Sequence, residues 1–466
     1  MTGIPLILVL VAAIIVMIAM ISIWKVHPFI SIMLVALTFG LIGGIPLVDR
    51  KVDGEVVEQG IATVIGAGFS GTFTSIGIVI ILGALIGLIL EKTGAAFQIA
   101  DAIVRVIGKK RPVLATQLMG WVVSIPVFCD SGFVILNPIR RALARRTATS
   151  SVAMTVALSA GLYTAHVFIP PTPGPIAAAN TLGVGNNLLL VMCIGLLVSI
   201  PALIVSYFFA LYIGKRVKST EDEIIEDEAV LEGAYEELRA SYGKLPSIGA
   251  SFAPIVVPIL LLALGSIGSV LKWTGFLGDI VGFFGTPVIA LAVGVLFAAI
   301  TIATVGKGKQ MYDITDETLR TVGPILFITA AGGVLGKVIS STDVVVYIQD
   351  NATSFASVGL FFPFLISAIL KTAQGSSTVA LVTTAGIVAP LLPTLGLETP
   401  LQITLAVMAI AAGAMTVSHA NDSYFWVVTQ FGGMTPQQGY RTQTVVTGLM
   451  GVTSMIFIWL LGLVIV

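Results

Sequence analysis

The chain has 466 residues, 56% hydrophobic and only 10% charged, with 24 basic residues balanced by 24 acidic ones and a mean hydropathy of +1.04. A soluble domain carries about a quarter charged residues, so this composition excludes a soluble globular fold, and a net charge of zero gives no case for nucleic acid as a partner. Cys129 and Cys193 sit in apolar surroundings without CxxC or Cys/His spacing and read as free thiols, not as metal ligands.

Apolar runs of the ~20 residues needed to cross a bilayer recur along the whole chain. The first lacks a basic leader and flows through Lys25 into the second, so it reads as a transmembrane helix and not as a signal peptide. Ten full crossings are expected, at 4–24, 28–48, 76–92, 150–170, 188–213, 248–271, 279–303, 322–339, 401–426 and 442–466. Two further apolar stretches, 112–147 and 358–394, are interrupted by Cys129-Asp130-Ser131-Gly132 and by Gln374-Gly375-Ser376-Ser377. Each reads as a re-entrant hairpin whose tip stops inside the membrane. Non-helical backbone survives at that depth only when buried in protein or facing a watered cavity, which makes both tips candidate site elements.

The segment 214–247 is the one long polar stretch and reads as a solvated cytoplasmic linker, partly helical around Glu221 to Arg239. It separates halves spanning 1–213 and 248–466. A single offset of 247 residues carries 4–24 onto 251–271, Asp130 onto Ser377, and Pro171-Thr172-Pro173-Gly174-Pro175 onto Ser418-His419-Ala420-Asn421-Asp422. Five crossings per half, an odd number, predict two inverted repeats with a site near the midplane between broken helices. With the linker inside, the clusters Lys109-Lys110-Arg111, Arg140-Arg141 and Arg145-Arg146 fall on the cytoplasmic side, and only Arg50, Lys51 and Lys272 fall outside. The positive-inside rule then puts both termini outside.

Four points hold the polar chemistry. Asp130 is a carboxylate at the first tip, where its charged form is costly unless protonated, paired or solvated, so it is a candidate proton-coupling acid; capping of the following helix is the plainer role. His166 precedes Pro170-Pro171-Thr172-Pro173-Gly174-Pro175, and four prolines in six residues must unwind the helix within 150–175. At the second tip, Gln374, Gly375, Ser376, Ser377 and Thr378 offer small residues, hydroxyls and helix-start N–H groups that suit an anion. Lys371 reads equally as the counter-ion of that anion or as a lysine reaching for the surface. In the broken crossing 401–426, Ser418, His419, Asn421, Asp422 and Ser423 are more polar groups than structure alone asks for, and Asp422 is a second candidate for proton coupling.

No HExxH helix, Walker A loop or GxSxG elbow occurs, so the usual parts for metal-assisted hydrolysis, ATP-driven pumping and serine hydrolysis are missing, and neither enzyme activity nor a cofactor or metal is expected. An anion channel is the stronger rival, although a pore asks for a continuous polar stripe and here polarity gathers at four paired points.

At these points the sequence resembles the gluconate permease family. The resemblance rests on Phe128-Cys129-Asp130-Ser131-Gly132-Phe133, on His166 through Pro175 (HVFIPPTPGP), on Gln374 through Ala380 (QGSSTVA), and on Ser418 through Trp426 (SHANDSYFW). It implies proton-coupled symport of a small hydroxy-carboxylate into the cell, gluconate or a related aldonate or a shorter acid such as glycerate, with D-amino acid transport and an anion channel or uniporter as alternatives. It implies substrate contacts from Ser131, Gly132, His166, Thr172, Gly174, Lys371, Gln374, Gly375, Ser376, Ser377, Thr378, His419, Asn421 and Ser423, with Asp130 and Asp422 coupling protons. The expected fold is an all-α polytopic inner-membrane protein of two inverted five-crossing repeats. The resemblance adds an elevator-type division into scaffold and transport domains, and a homodimer.

Overall fold

The computed structural model describes residues 3–465 except 53–54, 109, 224–235, 238, 345–358 and 421, and describes Gln374 only in its backbone. The expected Asn421 contact and the middle of the linker therefore lie outside the described residues. The chain is a helical membrane protein, and proline sets much of its punctuation. The helices Pro28–Ile42, Pro112–Val123, Pro173–Thr181, Pro287–Thr304 and Pro400–Met415 each begin on proline, whose missing N–H is no loss at a helix start.

Both interrupted stretches are helical pairs. Pro112–Val123 is followed by Cys129–Arg146, and Phe361–Gln374 by Ser377–Val388. Both proline-rich or polar crossings are broken, Ser151–Phe168 from Pro173–Thr181 and Pro400–Met415 from Ser423–Phe431. The Ser151–Phe168 helix is buried along its entire length, so it is the centre of the bundle and not a lipid-facing span. It packs against Pro112–Val123 and Leu188–Ile213, while Pro400–Met415 packs likewise against Phe361–Gln374 and Val445–Ile465.

Among the described residues seven helices are long and apolar enough to cross a membrane, or eight if the bent pair Ile78–Thr93 and Ala95–Ile107 is one span, against the ten crossings expected. The difference has physical causes. Pro28–Ile42 is only 15 residues long, the crossing at 401–426 stops at Met415 where its backbone opens, and 76–92 is the end of a longer rod. That rod is Ile61–Thr72 joined through a π-turn at Phe73–Gly77 to Ile78–Thr93. Likewise 322–339 is the apolar part of Met311–Ser340, a 30-residue helix whose first turns carry Asp313, Asp316, Glu317 and Arg320. The expected crossing 279–303 resolves into a short exposed helix, Gly275–Phe284, and the span Pro287–Thr304. Hydropathy also passes over an exposed antiparallel pair, Arg50–Val52 with Glu55–Glu58.

The linker is not solvated throughout. Its start is strapped to the bundle: Asp222 Oδ1 accepts from the Ser151 N–H at 2.7 Å, Thr220 N–H donates to Gly433 O at 3.0 Å, and the Glu221 carboxylate takes both oxygens' worth of bonds from Arg140 at 3.0 and 2.8 Å. Arg140 is fully buried. The only helix described near this start is the single turn Thr220–Glu223.

Candidate functional site

The two tips are closed by side chains from the ends of their own first arms. Ser124 Oγ donates to Val127 O at 2.9 Å at the first tip. At the second, Lys371 Nζ donates to Gly375 O, where the chain turns with φ +92°, a conformation that favours glycine. The breaks are closed in the same local way. Thr172 Oγ1 donates to His166 O at 2.9 Å and Ile169 O at 2.8 Å, satisfying carbonyls that the prolines leave without N–H partners. At the second break Ser418 N–H donates to Thr447 Oγ1 at 2.9 Å, Thr444 Oγ1 donates back to Ser418 O at 2.6 Å, and Trp426 Nε1 donates to Ala420 O at 2.8 Å.

Between tips and breaks lies a cavity of about 410 Å³. It is lined by Phe128, Cys129 and Asp130 of the first tip, Tyr163 and His166 before the first break, and Gly375, Ser376, Ser377, Thr378, Val379 and Val382 of the second hairpin. Asp422, Ser423 and Tyr424 of the second break and Pro324, Ile325 and Ile328 of the long Met311–Ser340 helix complete it. Three helix N-termini open into it, those of Cys129–Arg146, Ser377–Val388 and Ser423–Phe431. Each brings the positive end of a helix dipole, which attracts anionic groups; the first has no side-chain cap, while Ser376 Oγ accepts from Val379 N–H and Asp422 Oδ1 from Tyr424 N–H at the other two.

Eight of the residues singled out in the sequence meet at this cavity: Asp130, His166, Gly375, Ser376, Ser377, Thr378, Asp422 and Ser423. His166 is buried and its Nδ1 has no hydrogen-bond partner among the described residues. Asp130 is half-buried and receives a bond from Ser423 Oγ at 3.4 Å, with Cys129 Sγ at 3.6 Å. Asp422, by contrast, is held by three donors: Lys371 Nζ lies 2.6 Å and Ser418 Oγ 2.5 Å from Oδ2, and Tyr424 N–H donates to Oδ1 at 3.1 Å.

The remaining predicted residues do other work in this structure. Lys371 is fully buried and paired with Asp422, so it neither reaches the surface nor lines the cavity. Ser131 is turned toward Glu91 on the Ile78–Thr93 helix. A Cβ on Gly132 would meet Leu162 Cδ2 at 2.7 Å and one on Gly174 would meet Leu381 Cδ1 at 2.8 Å, so both glycines serve close packing. Thr172 closes the first break, and His419 donates from Nε2 to Thr372 O at 3.0 Å. Residues the sequence reading passed over are Tyr163, Pro324, Ile325, Ile328 and Val382. Tyr163 and Pro324 carry a signal, an aromatic hydroxyl and a proline within otherwise small or apolar crossings; the two isoleucines and the valine carry none.

A cavity lined by polar groups thus lies where two helical hairpins meet two broken helices, and solved structures of transport proteins share the fold. The Alcanivorax borkumensis YdaH transporter superposes with a TM-score of 0.64, covering 93% of this chain and 98% of that one at 14% identity. Neisseria gonorrhoeae MtrF, described with a class of antimetabolite efflux pumps, superposes with a TM-score of 0.62 over 95% and 96% at 16% identity. The model of the GntP family permeases matches residues 4–464, and the chain belongs to that family. Similar relatives are an uncharacterized permease of Haemophilus influenzae, 34% identical over 93% of this chain and 87% of that protein, and the inner membrane permease YgbN of Escherichia coli K12, 32% identical over 98% and 99%. A gluconate permease of Pseudomonas aeruginosa is 30% identical over 96% and 95%. The protein is thus a multi-pass inner-membrane transporter and not an enzyme.

Proposed function

We propose that this transporter is a proton-coupled symporter of a small hydroxy-carboxylate, gluconate or a related aldonate or a shorter acid such as glycerate. The observation that carries the reading is the convergence of three helix N-termini and the hydroxyls of Ser376, Ser377, Thr378 and Ser423 on one cavity that also holds Asp130. The donors suit a carboxylate and its hydroxyls, and about 410 Å³ falls within the ~300–1,000 Å³ usual for small-molecule sites. The names of relatives in Pseudomonas aeruginosa and Zymomonas mobilis add gluconate to that chemistry.

Uptake into proteoliposomes under an inward proton gradient, against a panel of aldonates and short 2-hydroxy acids, tests the reading. Equilibration without accumulation would return the anion channel to first place. Ser377→Ala should weaken binding of the preferred anion by roughly five-fold to over a hundred-fold, the ~1–3 kcal/mol typical of a donor lost in a buried site. Unchanged affinity would move the site elsewhere.

We further propose two inverted repeats, with both termini outside, working by alternating access. Adding 247 to Ile61 and Thr93 gives 308 and 340, the bounds of the span Gly308–Ser340, and adding it to Ser151 and Phe168 gives 398 and 415, close to Pro400–Met415. The moving unit in this reading carries both hairpins past Ile78–Thr93 and Met311–Ser340. Gly87 supports a sliding contact, since a Cβ there would meet Pro126 O of the first tip at 2.0 Å. With Cys129 and Cys193 replaced by serine, a Glu91→Cys/Ser131→Cys pair should arrest transport when crosslinked and recover on reduction. Full transport in a verified crosslinked sample would count against the movement.

A further inference from the structure

Lys371 is a charged side chain doing at the second tip what a hydroxyl does at the first. Subtracting 247 from 371 gives 124, and Ser124 closes the first tip through Val127 O as Lys371 closes the second through Gly375 O. Tip closure alone therefore needs no cation. The ammonium is fully buried, with the Tyr163 ring centroid at 5.9 Å and Asp422, its one acidic partner among the described residues, at 2.6 Å. What the lysine adds beyond the hydroxyl is a positive charge held against Asp422.

A buried carboxylate stays ionised when a cation and hydrogen bonds hold it, and tends to protonate when it is desolvated beside another carboxylate. Asp422 has the cation and the bonds. The groups facing it are Cys129 and Asp130 from the first hairpin, Tyr163 and His166 from the Ser151–Phe168 helix, and the adjacent Tyr424. Asp130 is the other carboxylate of the set.

We infer that Lys371 is a positioning residue that keeps Asp422 ionised through the transport cycle, so that Asp130 alone takes up a proton and one proton accompanies each anion. The inference rests on the proton-coupled reading above. Entry of a monoanion with one proton is electroneutral, whereas two protons carry net charge and make accumulation respond to the membrane potential.

The test uses the full chain in proteoliposomes with the potential clamped by potassium and valinomycin. The wild type should accumulate the anion about ten-fold per pH unit at zero potential and gain nothing from a negative interior. Lys371→Gln strips Asp422 of its cation, and its accumulation should steepen toward about a hundred-fold per pH unit and acquire a response to negative potential. Lys371→Arg, and the double variant Lys371→Gln/Asp422→Asn, should both return to about ten-fold with no potential response. A merely structural role would lower the rate in Lys371→Gln and leave these slopes alone. Unchanged slopes in Lys371→Gln would overturn the inference. If that variant does not fold, the double variant decides: one-proton coupling in it supports the assignment, and lost or two-proton coupling overturns it. A wild type that fails to accumulate under any pH gradient would instead sink the symport reading and this inference with it.

Discussion

Asp130→Asn is expected to leave a folded protein that still exchanges labelled anion across the liposome membrane but no longer concentrates it under a pH gradient. Asp130 lines the cavity, and among the described residues no basic side chain lies within ion-pairing distance of it. Its side-chain contacts are a long bond from Ser423 and the neighbouring thiol of Cys129. A second anion placed beside an uncompensated carboxylate is repelled, and the repulsion vanishes when the carboxyl takes a proton. Binding of anion and of proton are then linked, and a gradient of one drives the other. One pH unit supplies about 1.4 kcal/mol, a factor of ten in accumulation. Asparagine keeps the shape and removes the proton site, so accumulation should fall from about ten-fold per pH unit to none, while counterflow, which needs no gradient, continues. Accumulation surviving in Asp130→Asn would make Asp422 the leading acid.

The hairpins and breaks were legible because polar and proline-rich runs inside a membrane-crossing segment have few places to go. Asp130, Ser376, Ser377, Thr378 and Ser423 could be assigned to one cavity on that ground alone. What hydropathy concealed was of two kinds. No crossing is expected over Ile61–Thr72, where Gly66, Gly68 and Gly71 dilute the apolar signal, yet it is a helix in which a Cβ on Gly68 would meet Val334 Cα at 2.8 Å. There the glycine permits close approach to the Met311–Ser340 helix. The second kind is pairing at long range. Lys371 and Asp422 stand 51 residues apart, and Arg140 and Glu221 stand 81 apart. Periodicity places a charge on an element but does not choose its partner. For the same reason Lys371 read as open between anion and surface, and Glu221 as one more solvated acid.

Glu221→Ala should be among the most destabilising single changes outside the cavity, because it strands a buried cation. Arg140 donates from Nε to Asn137 Oδ1 at 2.8 Å, from Nη1 to Ser151 Oγ at 2.6 Å, and from Nη2 to both Glu221 oxygens and to Phe431 O at 3.4 Å. Arg141 Nε adds a second ion pair to Glu221 at 3.1 Å, and Arg145 donates to the Glu221 carbonyl at 2.5 Å. These bonds join the second arm of the first hairpin, the start of the buried Ser151–Phe168 helix and the end of Ser423–Phe431, elements from both halves of the chain. Removing one partner of a buried pair typically costs about 3–5 kcal/mol, since the remaining charge stays desolvated without its counter-charge. Glu236→Ala removes an exposed partner 3.8 Å from Arg239 and should cost under about 1 kcal/mol. Thermal denaturation of the purified protein in detergent compares the two directly. High salt should not reproduce the Glu221→Ala loss in the wild type, because screening acts weakly on a pair with one fully buried member. Equal melting of the two variants would mean that the strap is a passive connection and that Arg140 is held by its hydrogen bonds to Asn137 and Ser151.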